Sequence, residues 1–362
     1  KEIFLKPRFD ETSLEKWVNR TKALVLNKTE NPYFVAENTM RTLLYGATSW
    51  GVSYLHPSVI TSLASLAPSD LHEQWKNFLT LDRFSLGVCG HITPQELTIL
   101  LQDFFKDIPK VSKLNPLKLP PFPKDSMEKI VPMPIPQAIV NLIHPGIPHT
   151  YKTYAAYRVM NQVLSGGMSG RLFRTIRDKK GLVYGIQATP IEKMDGPLYL
   201  FHFECKNENV PLALHELKKQ LSLLKEKGIT AEELDQAKLS LMGQEALKYT
   251  STVAIAQRLA YSLYLNEKET FLADTKQAID ALTLPDINHF IKNFIDPHRL
   301  QTVVVGQLTS LSYNEDTHEP SSKHSGKSVQ KALPKGPGHM GKNSQNTYAS
   351  LPADLAIVTK TP

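Results

Sequence analysis

The sequence lacks most of what would place it in a membrane, on a nucleic acid or in a disulfide-bonded scaffold. No apolar run approaches 18 residues, so no segment is expected to span a membrane. Only two cysteines occur, Cys89 and Cys205, each inside an apolar strand-like run (FSLGVCG and LYLFHFEC). Both read as small core residues, and a disulfide between them is left open. The chain opens on Lys-Glu with no cationic n-region ahead of an apolar h-region, so no signal peptide is expected, although a truncated start would have removed one. The net charge of +7 comes without a Lys/Arg block interleaved with aromatics, which argues against nucleic acid as a partner. What remains, 41% hydrophobic and 21% charged, is the balance of a globular protein.

The feature that organises the chain is an internal repeat. The stretch ending at Thr93 aligns without a gap on the stretch ending at Thr309, at a spacing of 216 residues. Nine of 30 pairs are identical: Leu66/Leu282, Asp70/Asp286, Lys76/Lys292, Asn77/Asn293, Phe78/Phe294, Arg83/Arg299, Val88/Val304, Gly90/Gly306 and Thr93/Thr309. Chance alone gives about two, so two copies of one unit of roughly 200 residues are expected. At that spacing the first copy is present only as its C-terminal half.

Residues 9–28 place Leu14, Trp17, Thr21, Leu24 and Val25 at helical spacing, which predicts an amphipathic helix, and a second helix fits 33–45. Asp70 followed by Glu73 reads as a helix start for 70–78, RFSLGVCG as a strand ending at a glycine, and 94–105 as another helix. Eight prolines between 109 and 136 exclude helix and sheet interior and predict an extended linker. The second copy follows as a strand at QAIVNLIHPG, a helix over 151–164, a glycine turn at 165–167 and a helix over 169–179. Strands at LVYGIQATP and GPLYLFHFEC come next, then helices over 211–227, 231–247 and 253–263, a helix at Asp286 and the strand QTVVVG. The expected class is α+β, tandem domains of mixed, mainly antiparallel sheet covered by helices. The boundaries are 1–108 for the partial first unit, 109–136 for the linker, 137–312 for the complete second unit and 313–362 for a basic, disordered tail.

The most specific segment is VLSGGMSGRLFRTIRDKKGLVYGIQA, residues 163–188. Arg177 falls near a helix end and Tyr184 seven residues later across a Gly181 turn, so both side chains can converge on one spot. A guanidinium and a phenol are hydrogen-bond donors suited to a peptide carbonyl or a developing oxyanion. The plain structural alternative pairs Arg177 with Asp178 or Glu192 and makes Tyr184 a half-buried strand aromatic. Gly166 and Gly167 read as a helix C-terminal turn with positive φ, or as a place where a substrate backbone can come close. Elsewhere His144 and His149 flank Pro-Gly-Ile-Pro without a third ligand at metal spacing, and His215-Glu216 has no second histidine four residues on.

The segment resembles the C-terminal domains of the pitrilysin/insulinase zinc metallopeptidases through Gly166, Gly167, Arg171 to Phe173, Arg177 and Tyr184, and the resemblance extends over residues 1 to about 310. It implies that Arg177 and Tyr184 bind substrate and its transition state opposite a zinc held by another domain, with Gly166, Gly167 and Arg171 as further substrate-binding positions. The family's His-x-x-Glu-His motif, in which two imidazoles hold zinc and the glutamate acts as base, is absent from the twelve histidines. Counting from Phe9, the family's two acidic positions on the first helix fall on Trp17 and Leu24, so no zinc ligand and no cofactor is assigned to this chain.

The expected function is the non-catalytic, substrate-binding half of a pitrilysin-type zinc peptidase. It would close a peptide chamber with a homologous zinc-bearing subunit or upstream domain, and unstructured peptides would bind as an added strand. A structural or assembly protein of the same fold, and a fragment of a longer single-chain zinc peptidase, are the alternatives. The resemblance favours the bacterial periplasm over cytoplasm or mitochondrion.

Overall fold

The structure is a computed structural model that describes residues 2–111, 118–147, 151–192, 196–268 and 270–313. The first part is helical: α1 (Glu2–Leu5), α2 (Glu11–Thr29), α3 (Pro32–Tyr45), α4 (Val59–Ala64), α5 (Pro68–Phe78) and α6 (Pro94–Phe105). β1 (Glu128–Pro132), β2 (Gln137–Pro145), α7 (Tyr151–Ser165), β3 (Gly185–Ile191) and β4 (Leu198–Lys206) follow. Then come α8 (Val210–Lys227), α9 (Ala231–Lys248), α10 (Thr252–Tyr264), α11 (Phe271–Ala281), α12 (Leu284–Phe294) and β5 (Gln301–Gly306). Local sequence sets the boundaries. Asp10 caps α2 by accepting the Ser13 N–H at 2.8 Å, and Thr93 with Glu96 makes a capping box for α6. Pro32, Pro68 and Pro94 stand in the first turns of α3, α5 and α6, where a missing N–H costs nothing.

The strands form one sheet in the order β1-β5-β2-β4-β3. β1 runs parallel to β5 and every other pairing is antiparallel, which is the mainly antiparallel α+β arrangement the sequence leads one to expect. Strand alternation divides the core in two. On one face Val140, Leu142, Phe201 and Phe203 pack against α7, α8 and α12 through Met160, Leu217, Leu221, Ile287 and Ile291, all buried. Each such side chain contributes about 1.5–3 kcal/mol of burial. On the other face α3 lays Ala36, Met40 and Leu44 over Ile139 and Ile143 of β2 and Val303 and Val305 of β5. α3 does not extend over β3, where Gln187 and Thr189 are exposed.

The repeat is visible in the elements. α5 and the 3-10 turn Leu81–Arg83 carry the same bounds, offset by 216 residues, as α12 and the 3-10 turn Pro297–Arg299. Several expectations need correction. Helix α5 starts at Pro68 rather than at Asp70, because Asp70 serves as its N3 residue and accepts the Ala67 N–H. RFSLGVCG forms no strand: β5 has β1 and β2 as neighbours, whereas this stretch finds no ladder partner among the described residues. It lies instead against α10, where a Cβ on Gly87 would come within 2.2 Å of the Ala256 carbonyl, and it leaves Cys89 half-buried rather than in a core. Trp17 and Leu24 do not join the buried stripe of α2, which is Leu14, Val18, Thr21 and Val25; they are 50% and 41% exposed. The helix expected over 169–179 is a π-helix from Phe173 to Lys179. β1 arises inside the proline-rich stretch, in the window between Pro123 and Pro132, and it takes the sheet edge where proline is tolerated. Helices α1, α4 and α11 were not foreseen. His149 and the tail from 314 lie outside the described residues.

Candidate functional site

Helix α7 ends at Ser165, and the chain turns through two glycines with different tasks. Gly167 has φ of +67°, a region disfavoured for side chains, and a Cβ there would meet nothing within 4 Å. Gly166 has an ordinary φ, but a Cβ would come within 2.3 Å of the Gln162 carbonyl, which accepts the Gly166 N–H at 2.8 Å. The turn therefore needs one glycine for its backbone angle and the other for its close approach.

The segment then re-enters the core through Leu172 and Ile176, both fully buried. Arg171, just ahead of the π-helix, spends its planar fork on structure: Nε and Nη2 donate to Glu233 at 2.5 Å each, and Nη2 also donates to the Gly228 carbonyl at 3.0 Å. Burial raises the Glu233 carboxyl, but Arg171 and the Thr230 N–H outweigh it and hold its pKa below the usual range. Arg171 thus ties the glycine turn to the start of α9.

Arg177 and Tyr184 meet through the Tyr184 backbone rather than through both side chains. Gly181, at φ +61°, turns the chain back, and Arg177 Nε donates to the Tyr184 carbonyl at 3.0 Å. Nη1 donates to Asp178 at 2.9 Å, and the guanidinium carbon lies 4.7 Å from the centre of the Phe173 ring, one of the two anticipated ion partners and a stacking platform. Glu192, the other anticipated partner, hydrogen-bonds Tyr154 instead. Among the described residues two of the five guanidinium N–H groups are used, which leaves three for a ligand. Tyr184 is 82% exposed rather than half-buried, so its hydroxyl stands in solvent.

A polar row that sequence reasoning missed lies beside this pair. The Tyr184 N–H donates to the Glu204 carbonyl at 3.2 Å, and Glu204 faces Gly185 across the β3–β4 ladder. The Glu204 carboxylate accepts from the Tyr33 hydroxyl of α3 at 2.8 Å and lies 3.6 Å from His202 Nε2. Burial holds His202 below its ordinary pKa against the pull of Glu204, and its Nδ1 sits 2.7 Å from the Asn141 amide oxygen. No spacing rule links Tyr33, Asn141, His202 and Glu204, because sheet register and α3 docking bring them together. A separate cleft of about 600 Å³ opens among α7, α9, α10 and α11, between the ion pairs Arg158–Glu245 and Arg258–Glu267.

Among the described residues no group of three His, Cys, Asp or Glu side chains can hold a metal ion. The zinc of the resembling peptidases therefore has no seat there, and Trp17 and Leu24 offer it no ligand. His144 is buried in the core and paired on both ring nitrogens, to the Pro145 carbonyl and the Asp296 N–H. No helix is long and apolar enough to cross a membrane among the described residues.

Comparison with known proteins bears on the same segment. Residues 65–241 match the family described as the peptidase M16 inactive domain, a match that runs across the proline-rich stretch and through the Arg177–Tyr184 segment. The chain is 24% identical over 294 residues to an uncharacterized zinc protease, YmxG, of Bacillus subtilis, covering 79% of this chain and 69% of that protein. It is 25% identical over 307 residues to a protein of Helicobacter pylori described as the non-peptidase homolog YmxG, covering 84% and 70%. Its fold matches the crystal structure of a peptidase M16 inactive domain from Pseudomonas fluorescens with a TM-score of 0.73 at 21% identity, over 85% of this chain and 74% of that one. By sequence across residues 65–241 and by fold across most of its described length, the chain is similar to the domain called the peptidase M16 inactive domain, which bears out the resemblance to pitrilysin/insulinase peptidases.

Proposed function

We propose that this chain is the non-catalytic, substrate-binding half of a zinc peptidase. In this reading residues 137–312 form a complete pitrilysin-like unit and residues 1–108 the C-terminal half of a preceding one, joined by 109–136. A homologous zinc-bearing subunit or domain supplies the metal, and the two halves enclose an unstructured peptide. The observation that carries the reading is the Arg177–Tyr184 pair, which sets a guanidinium with three N–H groups unspent among the described residues against the Tyr184 carbonyl, and an exposed phenol at the end of a sheet-edge strand. Those donors suit a peptide carbonyl in the ground state and its oxyanion in the transition state. Gly166 and Gly167 keep the neighbouring turn free of side chains, so a peptide backbone can approach it, while Arg171 fixes the turn from behind. A peptide added to β3 has limited edge to use. The Ala188 N–H donates to Ser165 Oγ at 2.8 Å and Pro190 has no N–H, so of the outward-facing residues of β3 the edge is open chiefly at Ile186, two residues from Tyr184.

The test is turnover in the complex reconstituted with a zinc-loaded partner. Tyr184→Phe removes one hydroxyl and keeps the ring, and it should lower kcat by roughly 10- to 1000-fold with assembly intact; Arg177→Ala should do the same. Unchanged turnover in Tyr184→Phe would move the chain to the structural or assembly role.

A further inference from the structure

We propose that Glu204, reached across Gly185, forms a pocket for a cationic side chain, lysine or arginine, of the bound peptide. The inference rests on the peptide-binding reading above and adds to it which peptides are preferred. β3 is the last strand of the sheet, and alternation along β3 and β4 puts Gln187, Thr189, His202 and Glu204 on the face opposite the main core. On that face Glu204 sits one strand in from the edge, directly across from Gly185. Every other residue type at 185 would stand between the edge and the carboxylate. Glycine leaves that space open, and a Cβ built there meets nothing within 4 Å.

The carboxylate at the bottom of this gap lacks a countercharge. Its neighbours are the Tyr33 hydroxyl at 2.8 Å and His202 at 3.6 Å, whose pKa burial lowers against the pull of Glu204; no lysine or arginine forms an ion pair with Glu204 among the described residues. Lys206, two residues on, is drawn instead to Glu208 at 3.7 Å. Glu204 is 30% exposed at its side chain, so it is partly dehydrated yet still reachable.

Distance selects the ligand. A strand added outside β3 lies about 4.8 Å from β3 and so about 10 Å from β4. A short side chain on that strand stops above Gly185. The long stem of lysine or arginine can cross the glycine, lie along the sheet and bring its charge to Glu204, with the stem covering apolar surface and the head staying hydrated. The Tyr33 hydroxyl holds the carboxylate in place. Arg177 and Tyr184, at the same end of β3, then take the peptide carbonyls, so one end of the strand reads backbone and side chain together.

The experiment uses the full chain and three labelled, unstructured decapeptides that differ at one central position: lysine, norleucine or glutamate. Fluorescence anisotropy at low salt should give the lysine peptide at least tenfold tighter binding than the norleucine peptide, with the glutamate peptide weakest. Glu204→Gln should collapse the lysine-to-norleucine ratio to near one, and so should Gly185→Val, which fills the gap without touching the charge. Thermal unfolding of both variants checks that they fold. Norleucine binding as tight as lysine binding in the parent, or a lysine preference that survives both substitutions, overturns the pocket and leaves peptide binding standing. Failure of every peptide to bind overturns the peptide-binding reading, and the pocket with it.

Discussion

Lowering the pH from 7 to 5 should unfold this protein more easily, and one residue accounts for most of the change. His144 ends β2 and is 3% exposed. Its Nδ1–H donates to the Pro145 carbonyl at 2.7 Å, its Nε2 accepts the Asp296 N–H at 3.1 Å, and its ring lies edge-on to Phe294 at 5.0 Å. That pattern requires the neutral imidazole. A second proton would meet the Asp296 N–H head-on at the turn that leads into β5. Burial is the main cause that lowers its pKa from 6.5 to about 4; the Pro145 hydrogen bond and Asp296 pull upward, while Arg299 and Lys225 pull down. The unfolded chain therefore takes up a proton near pH 6.5 and the folded chain only near pH 4. Stability is full above the unfolded value and declines as pH falls between the two, at about 1.4 kcal/mol per pH unit. The loss is about 2 kcal/mol at pH 5 and about 3 kcal/mol near pH 4. Urea unfolding followed by far-UV circular dichroism at pH 7.5, 6.5, 5.5 and 5 measures it while most carboxylates remain ionised. His202 is shifted in the same direction, by burial, and adds to the dependence. His144→Gln keeps an amide donor and acceptor without titrating, and it should at least halve the dependence. A parent midpoint that stays flat from pH 7.5 to 5, or a variant that keeps the full slope, would refute the reasoning.

Two further predictions concern the segment between α7 and the π-helix. Arg171→Ala strands the Glu233 carboxylate, which the pair leaves only 28% exposed, and should destabilise the fold by about 2 to 3 kcal/mol, read as a lower unfolding midpoint; no change would mean that Glu233 rehydrates freely. Gly166→Ala should cost more than Gly167→Ala. The first forces a Cβ to within 2.3 Å of a backbone carbonyl, worth about 1 to 3 kcal/mol of overpacking, and the second only places alanine at φ +67°, worth about 1 kcal/mol. The reverse order in thermal melts would contradict this division of labour between the two glycines.

Much of the fold was legible because local physics dictates it. Proline at helix starts, the capping residues Asp10, Thr93 and Thr230, alternation in QAIVNLIHPG and the 216-residue repeat each leave a mark within a short window, and the helices and the four expected strands of the second unit fall close to those marks. The nearness of Arg177 to Tyr184 was legible for the same reason, since seven residues and one glycine turn separate them, but the contact made is to the Tyr184 carbonyl and not to its ring. RFSLGVCG shows where such reasoning stops. Its pattern is as strand-like as that of QTVVVG, yet a strand exists only where a neighbour accepts its hydrogen bonds, and β1 and β2 supply that for β5 alone. Trp17 and Leu24 make the same point for helices: the period is right, but which arc of α2 is covered depends on what packs there.

What the sequence by itself determined is the helix and strand inventory of 137–306 apart from α11, the repeat, the family resemblance and the absence of a His-x-x-Glu-His site, each legible from short windows of the chain. Tertiary structure alone decided that β1 joins the sheet, that α3 covers β2 and β5 but leaves β3 open, and that Tyr33, Asn141, His202 and Glu204 gather beside Gly185. Tyr33 and Glu204 are 171 residues apart, and their contact depends on sheet register and helix docking, which are set by the burial of whole faces and not by any local window.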